Sequence, residues 1–161
     1  MRKLLLLFAC LLLMISCDKK RIFDEYQNLP GKWHKDSVVT FNFQAPDTIR
    51  DYNLFINLRN NADYKYSNLF LITNMNFPNG KVISDTLEYD MAAPSGKWLG
   101  TGFGDLKENK LWYKENVRFS EVGGYTFEVE QAMRKSGETE GIIELEGITE
   151  VGFRIEKAIN N

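Results

Sequence analysis

A period of two runs through most of this chain and limits what it can fold into. Val39, Phe41 and Phe43 alternate with Thr40 and Asn42, and Tyr52, Leu54, Ile56 and Leu58 alternate with Asn53 and Asn57. Each run reads as a half-buried strand, because successive side chains of a strand leave opposite faces. Leu69–Ile72 is apolar on both faces, which predicts a central strand or one covered on both sides. Pro78-Asn79-Gly80 follows, with a fixed φ at Pro and easy positive φ at Asn or Gly, and predicts a turn into Lys81–Met91, where Leu87, Tyr89 and Met91 share a face. Leu111–Phe119, Tyr125–Met133, Ile142–Glu146 and Ile148–Ile155 continue the pattern, separated by Gly123-Gly124, Ser136-Gly137 and Gly147. No long helical period intervenes. About eight strands at this spacing predict an all-β fold, a single antiparallel β-sandwich or jelly roll.

The N-terminus obeys a different logic. Arg2 and Lys3 precede an unbroken apolar run from Leu4 to Ile15. A dozen residues are too few for a transmembrane helix, which needs roughly 20, and fit the h-region of an export signal. The run ends in Met14-Ile15-Ser16-Cys17, a small residue directly before cysteine, as in the lipobox cut by lipoprotein signal peptidase. Residues 1–16 are then a signal peptide and Cys17 is the lipidation site and first mature residue. The alternative, an ordinary secretory signal with Cys17 a plain thiol, lacks the usual A-x-A pattern. Several acyl chains, at roughly 0.8 kcal/mol per buried CH₂, anchor a domain almost permanently. Residues 17–30 read as a lipidated tether and 31–161 as the β-sandwich domain. Within the tether, Ile22, Phe23, Tyr26 and Leu29 have the three- and four-residue spacings of one helical turn. Lys19, Lys20 and Arg21 follow the anchor closely, where each basic residue adds about 1 kcal/mol of attraction to an anionic leaflet, or is simply a solvated part of the tether.

Charge and cysteine content exclude several functions. Loss of Arg2 and Lys3 with the signal moves the formal charge from −2 to −4. Nucleic-acid binding would want clustered bases and a positive balance, so no nucleic-acid partner is expected. Cys10 leaves with the signal and Cys17 is lipidated, so the mature chain has no disulfide and must be held by an aromatic-rich core.

Chemistry-bearing patterns are sparse. His34 is the only histidine, next to Trp33 at the entry to the first strand, and suits a surface or packing role. There is no G-x-S-x-G elbow, no cysteine or histidine pair for zinc and no calcium loop, so no catalytic residue, metal or cofactor is expected. Glu88 with Asp90, and Glu128 with Glu130, read as solvent faces of strands rather than as a catalytic pair. Gly100-Thr-Gly102-Phe-Gly104 lacks the spacing and βαβ context of a phosphate loop and reads as a flexible inter-strand loop. Two segments have the composition of partner surfaces and sugar sites: the loop containing Arg59, Asn60, Asn61, Tyr64 and Tyr66, and Pro94–Gly100 with Trp98. In the competing reading, the asparagines cap turns and Trp98 folds inward.

Several of these segments carry a resemblance. NLFINLRNN (53–61), DYKYSNLFLI (63–72), DTLEY (85–89), MAAPSGKWLGTGFGD (91–105) and QAMR (131–134), with FDEY (23–26) and GITEVGFRIEK (147–157), occur in an order similar to that of the GldH gliding-motility lipoproteins of Bacteroidetes. The resemblance covers nearly the whole mature chain. It implies a membrane-attached accessory of gliding, a process tied to the type IX secretion machinery, with no assigned catalytic residues and with Cys17 as the only functional position carried over. Surface-exposed lipoproteins of such bacteria carry an acidic run after the cysteine; here one Asp is followed by bases, which favours a periplasm-facing domain. Two functional classes follow: a non-enzymatic scaffold docking on other gliding or secretion envelope proteins through Arg59, Tyr64, Tyr66 and Trp98, or a module binding glycan, peptidoglycan fragment or lipid with Trp98 stacking and Asn60 or Asn61 hydrogen-bonding.

Overall fold

The computed structural model describes residues 18–159, and everything structural below concerns those residues. Cys17 and the apolar leader lie outside them. Ten strands form three antiparallel sheets, and no helix is present among the described residues, in agreement with the all-β expectation. The strands are β1 (Arg21–Asn28), β2 (Lys32–His34), β3 (Val39–Gln44), β4 (Tyr52–Asn60), β5 (Asn68–Asn76), β6 (Val82–Asp90), β7 (Lys107–Val117), β8 (Gly124–Gln131), β9 (Glu144–Glu146) and β10 (Ile148–Lys157). One four-stranded sheet has the order β1-β10-β4-β7, a second has β3-β8-β5-β6, and β2 pairs with β9 in a small ribbon.

Alternation in the sequence becomes burial in the structure. On β3, Val39, Phe41 and Phe43 face inward; on β8, Tyr125, Phe127 and Val129 do the same. The two large sheets are glued by aromatic rings that cross between them. Phe153 of β10 stacks on Phe127 of β8 at a centroid separation of 4.2 Å and also meets Phe41 and Phe43 of β3. Such pairs contribute about 0.5–1.5 kcal/mol each beyond the area they bury. A core this rich in rings needs no disulfide to hold it.

The predicted β5–β6 hairpin is present. Gly80 N–H donates to Phe77 O, Phe77 N–H donates to Lys81 O, and Gly80 takes φ +83°, the left-handed region that glycine enters without a Cβ penalty. Leu69–Ile72 lies on β5, which is flanked on both sides by β8 and β6.

The segment after the anchor differs from expectation. Ile22, Phe23, Tyr26 and Leu29 do not form a helical turn: residues 21–28 are a strand, β1, paired with β10 from Arg21↔Glu156 to Asn28↔Glu150. The spacing misled because Phe23 and Leu29 pack on the core, Phe23 against Phe43 and Phe153, while Tyr26 serves the outer face and Ile22 is exposed. An edge strand need not alternate cleanly. The first strand therefore starts at residue 21, inside the segment read as tether, and residues 18–20 are bonded to the fold as well.

The register sorts every loop to one of two ends. At the near end lie Asp18–Lys20, the β3–β4 loop (45–51), the β5–β6 turn, the β7–β8 loop (118–123) and Ala158–Ile159. At the far end lie the loops 61–67, 91–106 and 132–143, with Gly147.

Candidate functional site

The far end is organised around an arginine. Arg59 leaves the outer face of β4 between two carboxylates: its Nε donates to Glu108 of β7 at 2.9 Å and its Nη1 to Glu150 of β10 at 2.5 Å. Strand order makes this possible, because β4 lies between β10 and β7 and residues 150 and 108 are both Cα partners of residue 59. The guanidinium also lies 4.7 Å above the ring of Tyr26, whose hydroxyl donates to Glu108. The bond to Glu108 holds Arg59 charged, raising its pKa, and burial with the Glu108 bond pushes the Tyr26 phenol upward. One guanidinium is thus shared by two carboxylates, and the set carries one negative charge in excess.

Beside it, residues 101–108 form a tight excursion. Thr101 and Glu108 exchange backbone hydrogen bonds at 2.9 and 2.7 Å and close its neck, and Lys107 Nζ donates to Gly102 O. Gly102 has φ +142°, and a Cβ there would lie 2.5 Å from Leu106 O; Gly104 has φ +61°. Only glycine fits the first of these positions without moving backbone. The consequence is Phe103, held on the tip with 101% of its reference area exposed, next to Leu106 at 44% and in the same connection as Leu99 at 55%. Phe103, Leu106, Arg59 and Glu108 share a shallow depression of about 300 Å³. The loop expected from Gly100–Gly104 is closed at its neck by the Thr101–Glu108 pair and bridged by the Lys107 bond, with glycine at the positions of positive φ.

The sequence-selected residues are placed differently from expectation. Tyr64 is buried, its hydroxyl donating to Asn68 O at 2.6 Å, and burial raises its pKa. Tyr66 and Trp98, both half-buried, pack on it at centroid separations of 5.8 and 6.0 Å. The three rings are one cluster that holds two far-end loops together, so Tyr64 is no surface anchor. Asn60 is also buried, its Oδ1 accepting from Asn109 Nδ2 at 2.9 Å. Asn61 does cap its turn, accepting from Asp63 N–H at 3.0 Å. Arg59 alone joins the accessible depression. Phe103 was legible only as an apolar residue between two glycines, outside any alternation.

Gly147 ties this end together. With φ +86°, it accepts from Asn61 N–H, and a Cβ on it would lie 2.1 Å from Tyr64 N. His34 accepts from Asp36 N–H through Nδ1, and Trp33 is buried with Nε1 donating to Ser37 O, both local packing roles. Among the described residues no group of three His, Cys, Asp or Glu is placed to hold a metal, and no helix is long and apolar enough to cross a membrane.

Fold and surface together define an antiparallel sandwich whose conspicuous far-end feature is a rigidly presented apolar loop beside a paired arginine. The chain belongs to the GldH lipoprotein family, whose model matches residues 21–155. It is 63% identical over 150 residues to a gliding motility lipoprotein GldH homolog of Christiangramia forsetii, covering 93% of this chain and 92% of that protein. It is 54% identical to gliding motility lipoprotein GldH of Flavobacterium johnsoniae, covering 94% of each. Among solved structures, infectious bursal virus derived T=1 particles align at 16% identity and a TM-score of 0.43, over 88% of this chain and 32% of that one, too distant to carry an argument.

Proposed function

We propose that this chain is a lipid-anchored, non-enzymatic envelope protein of gliding motility that works by docking on other proteins of the gliding and type IX secretion machinery. Two relatives named for gliding motility support the process. The lipobox supports acylation of Cys17 after removal of residues 1–16, and the bases that follow it support a domain facing the periplasm. One observation carries the docking step: Phe103 stands fully exposed on a loop whose backbone is closed by the Thr101–Glu108 bonds and the Lys107 bond to Gly102. An exposed aromatic costs solubility and contributes nothing to the core, whereas a rigid one is what interface hot spots use, since little entropy is lost when it is covered.

A small-ligand module would need a concavity. The apolar cavity lined by Leu54, Met75, Phe77, Ile83 and Tyr113 has a volume of about 70 Å³, and the larger depressions, of about 300, 360 and 530 Å³, reach the lower part of the roughly 300–1,000 Å³ of small-molecule sites but are shallow and open to solvent. Their openness, rather than their volume, favours docking over enclosure of a glycan or lipid.

The test is affinity capture of the tagged, membrane-anchored protein from gently crosslinked cells, with Phe103→Ser and Cys17→Ala as controls. Gliding or secretion components recovered with the native protein and lost with Phe103→Ser are the expected result. Equal recovery with Phe103→Ser would remove the loop from the interface, and recovery of glycan or lipid with no protein would replace docking by ligand binding.

A further inference from the structure

The near end presents a second exposed surface, and its setting specifies what covers it. Ile49 is 77% exposed and Val122 80% exposed, on neighbouring loops joined by a bond from Ala45 N–H to Gly123 O. Ile49 is held at its tip by Asp47, whose carboxylate accepts from the N–H groups of Ile49 and Arg50 and from the Tyr52 hydroxyl. Gly123 in turn lies against Pro78, so the β5–β6 turn closes the same surface. Neither apolar side chain belongs to the core, and both point from loops that are otherwise firmly stitched.

Around them the charge is lopsided. Three acids of this end are paired, Asp47 with Arg50, Asp51 with Arg118 and Asp18 with Arg154, while Glu121, hydrogen-bonded to the neutral Asn79, and Glu115 keep their charge, so the bases outnumber the free acids. Lys19, Lys20, Arg21, Lys81 and Lys157 form no ion pair among the described residues. The strand that leads here is fixed as well, since Lys157 N–H donates to Lys20 O at 2.9 Å and Ala158 N–H donates to Asp51 O at 3.0 Å. Asp18 is thus part of the folded end, and a single peptide link of about 3.8 Å separates its Cα from that of Cys17.

We propose that this near end is a membrane-seating surface: Ile49 and Val122 enter the headgroup region of an anionic leaflet while Lys19, Lys20, Arg21, Lys81 and Lys157 neutralise its phosphates. The inference rests on Cys17 carrying the lipid. With no slack between anchor and fold, the acyl chains bring this end, and no other, against the bilayer. Apolar loop tips ringed by unpaired bases match the two layers they meet, acyl boundary and phosphate. The sandwich then stands on its end, with Phe103 directed away from the membrane.

The mature chain offers a clean probe, because with Cys17 acylated it has no free thiol. Ile49→Cys, Val122→Cys and Phe103→Cys forms of the full lipoprotein are each labelled with a polarity-sensitive thiol fluorophore. They are reconstituted into vesicles of equal parts phosphatidylethanolamine and phosphatidylglycerol, and the intact mass of each preparation reports the acyl chains. The expected result is a blue-shifted label at 49 and 122 with a severalfold drop in quenching by aqueous iodide, and full quenching at 103. A joint Lys19→Gln, Lys20→Gln, Lys81→Gln and Lys157→Gln variant restores quenching at 49. Acylated protein with all three labels equally quenched overturns the seating and leaves the anchor standing. Absence of acyl mass overturns the anchor and the seating together.

Discussion

The two ends of the sandwich both expose apolar side chains, yet they are built to opposite plans. At the far end the exposed ring sits on an excursion closed by the Thr101–Glu108 bonds, and the nearby Arg59 is shared between Glu108 and Glu150. At the near end the exposed side chains are aliphatic, the loops are fixed by a carboxylate turn, and the bases are left without partners. A surface whose arginine is already held by carboxylates, with an exposed aromatic beside it, suits a shaped protein partner, whereas unpaired bases around small aliphatics suit a deformable anionic one. Exposure of apolar area alone would not separate them; the state of the neighbouring charges does.

The comparison can be broken most drastically at Gly147. Replacing it with alanine drives a Cβ into the backbone of Tyr64 at a left-handed φ, and a loss of about 3 kcal/mol or more is expected from denaturant unfolding. Because the Tyr64–Tyr66–Trp98 cluster rests on that contact, tryptophan emission should shift as well. A loss below about 1 kcal/mol would mean that the far-end loops are not coupled through Gly147. Arg59→Ala is expected to be milder, about 1 kcal/mol, since its partners are part-exposed and solvent screens the pairs.

Acid separates the ends without changing a residue. The bonds from Arg50 N–H, the Tyr52 hydroxyl and Ile49 N–H hold the Asp47 carboxyl well below its ordinary 3.8, while burial and the bond to Asp47 push Tyr52 up to about 12. A depressed carboxyl stabilises the fold fully above its unfolded pKa, and that contribution fades as pH falls toward the folded value. Asp47→Asn should therefore be less stable than the native chain by a constant amount above about pH 4, with the gap closing below it. A gap independent of pH down to strong acid would show that the turn is held by shape rather than by charge. The smallest effects on stability are expected at the tips: Phe103→Ser and Ile49→Ser should each lie within about 0.5 kcal/mol of the native chain. Either one unfolding the domain would make it a core residue and end its use as a surface probe.

How much of this was legible depended on whether a residue sat in a periodic context. β3, β4, β6 and the β5–β6 turn follow directly from alternation and from Pro78-Asn79-Gly80. β1 was misread as a helical turn because its register is set by β10, more than a hundred residues away, and not by its own pattern. β2 is three residues, too short for any period to show, and with β1 it accounts for ten strands where about eight were expected, whereas β9 lies within the expected stretch Ile142–Glu146. Inside and outside are undefined for loop aromatics before tertiary structure exists. Tyr64 and Trp98 turned inward on each other, while Phe103, flanked by glycines, was left out. Arg59 could be picked as polar and exposed, but its two carboxylate partners come from different strands and no local spacing reveals them.

The pairing of β1 with β10 has a mechanical consequence. β1 runs from the anchor toward the far end, antiparallel to β10, with its ladder closed at the start by the bond between Lys157 and Lys20. A pull between the lipid and a partner held at the far end would act along the strand axis, across hydrogen bonds that lie perpendicular to it. Such a load shears the whole ladder at once instead of peeling it rung by rung. The strand that looked like a slack leash is then the tension member of the molecule, and its resistance to force should exceed what its exposed, edge position suggests.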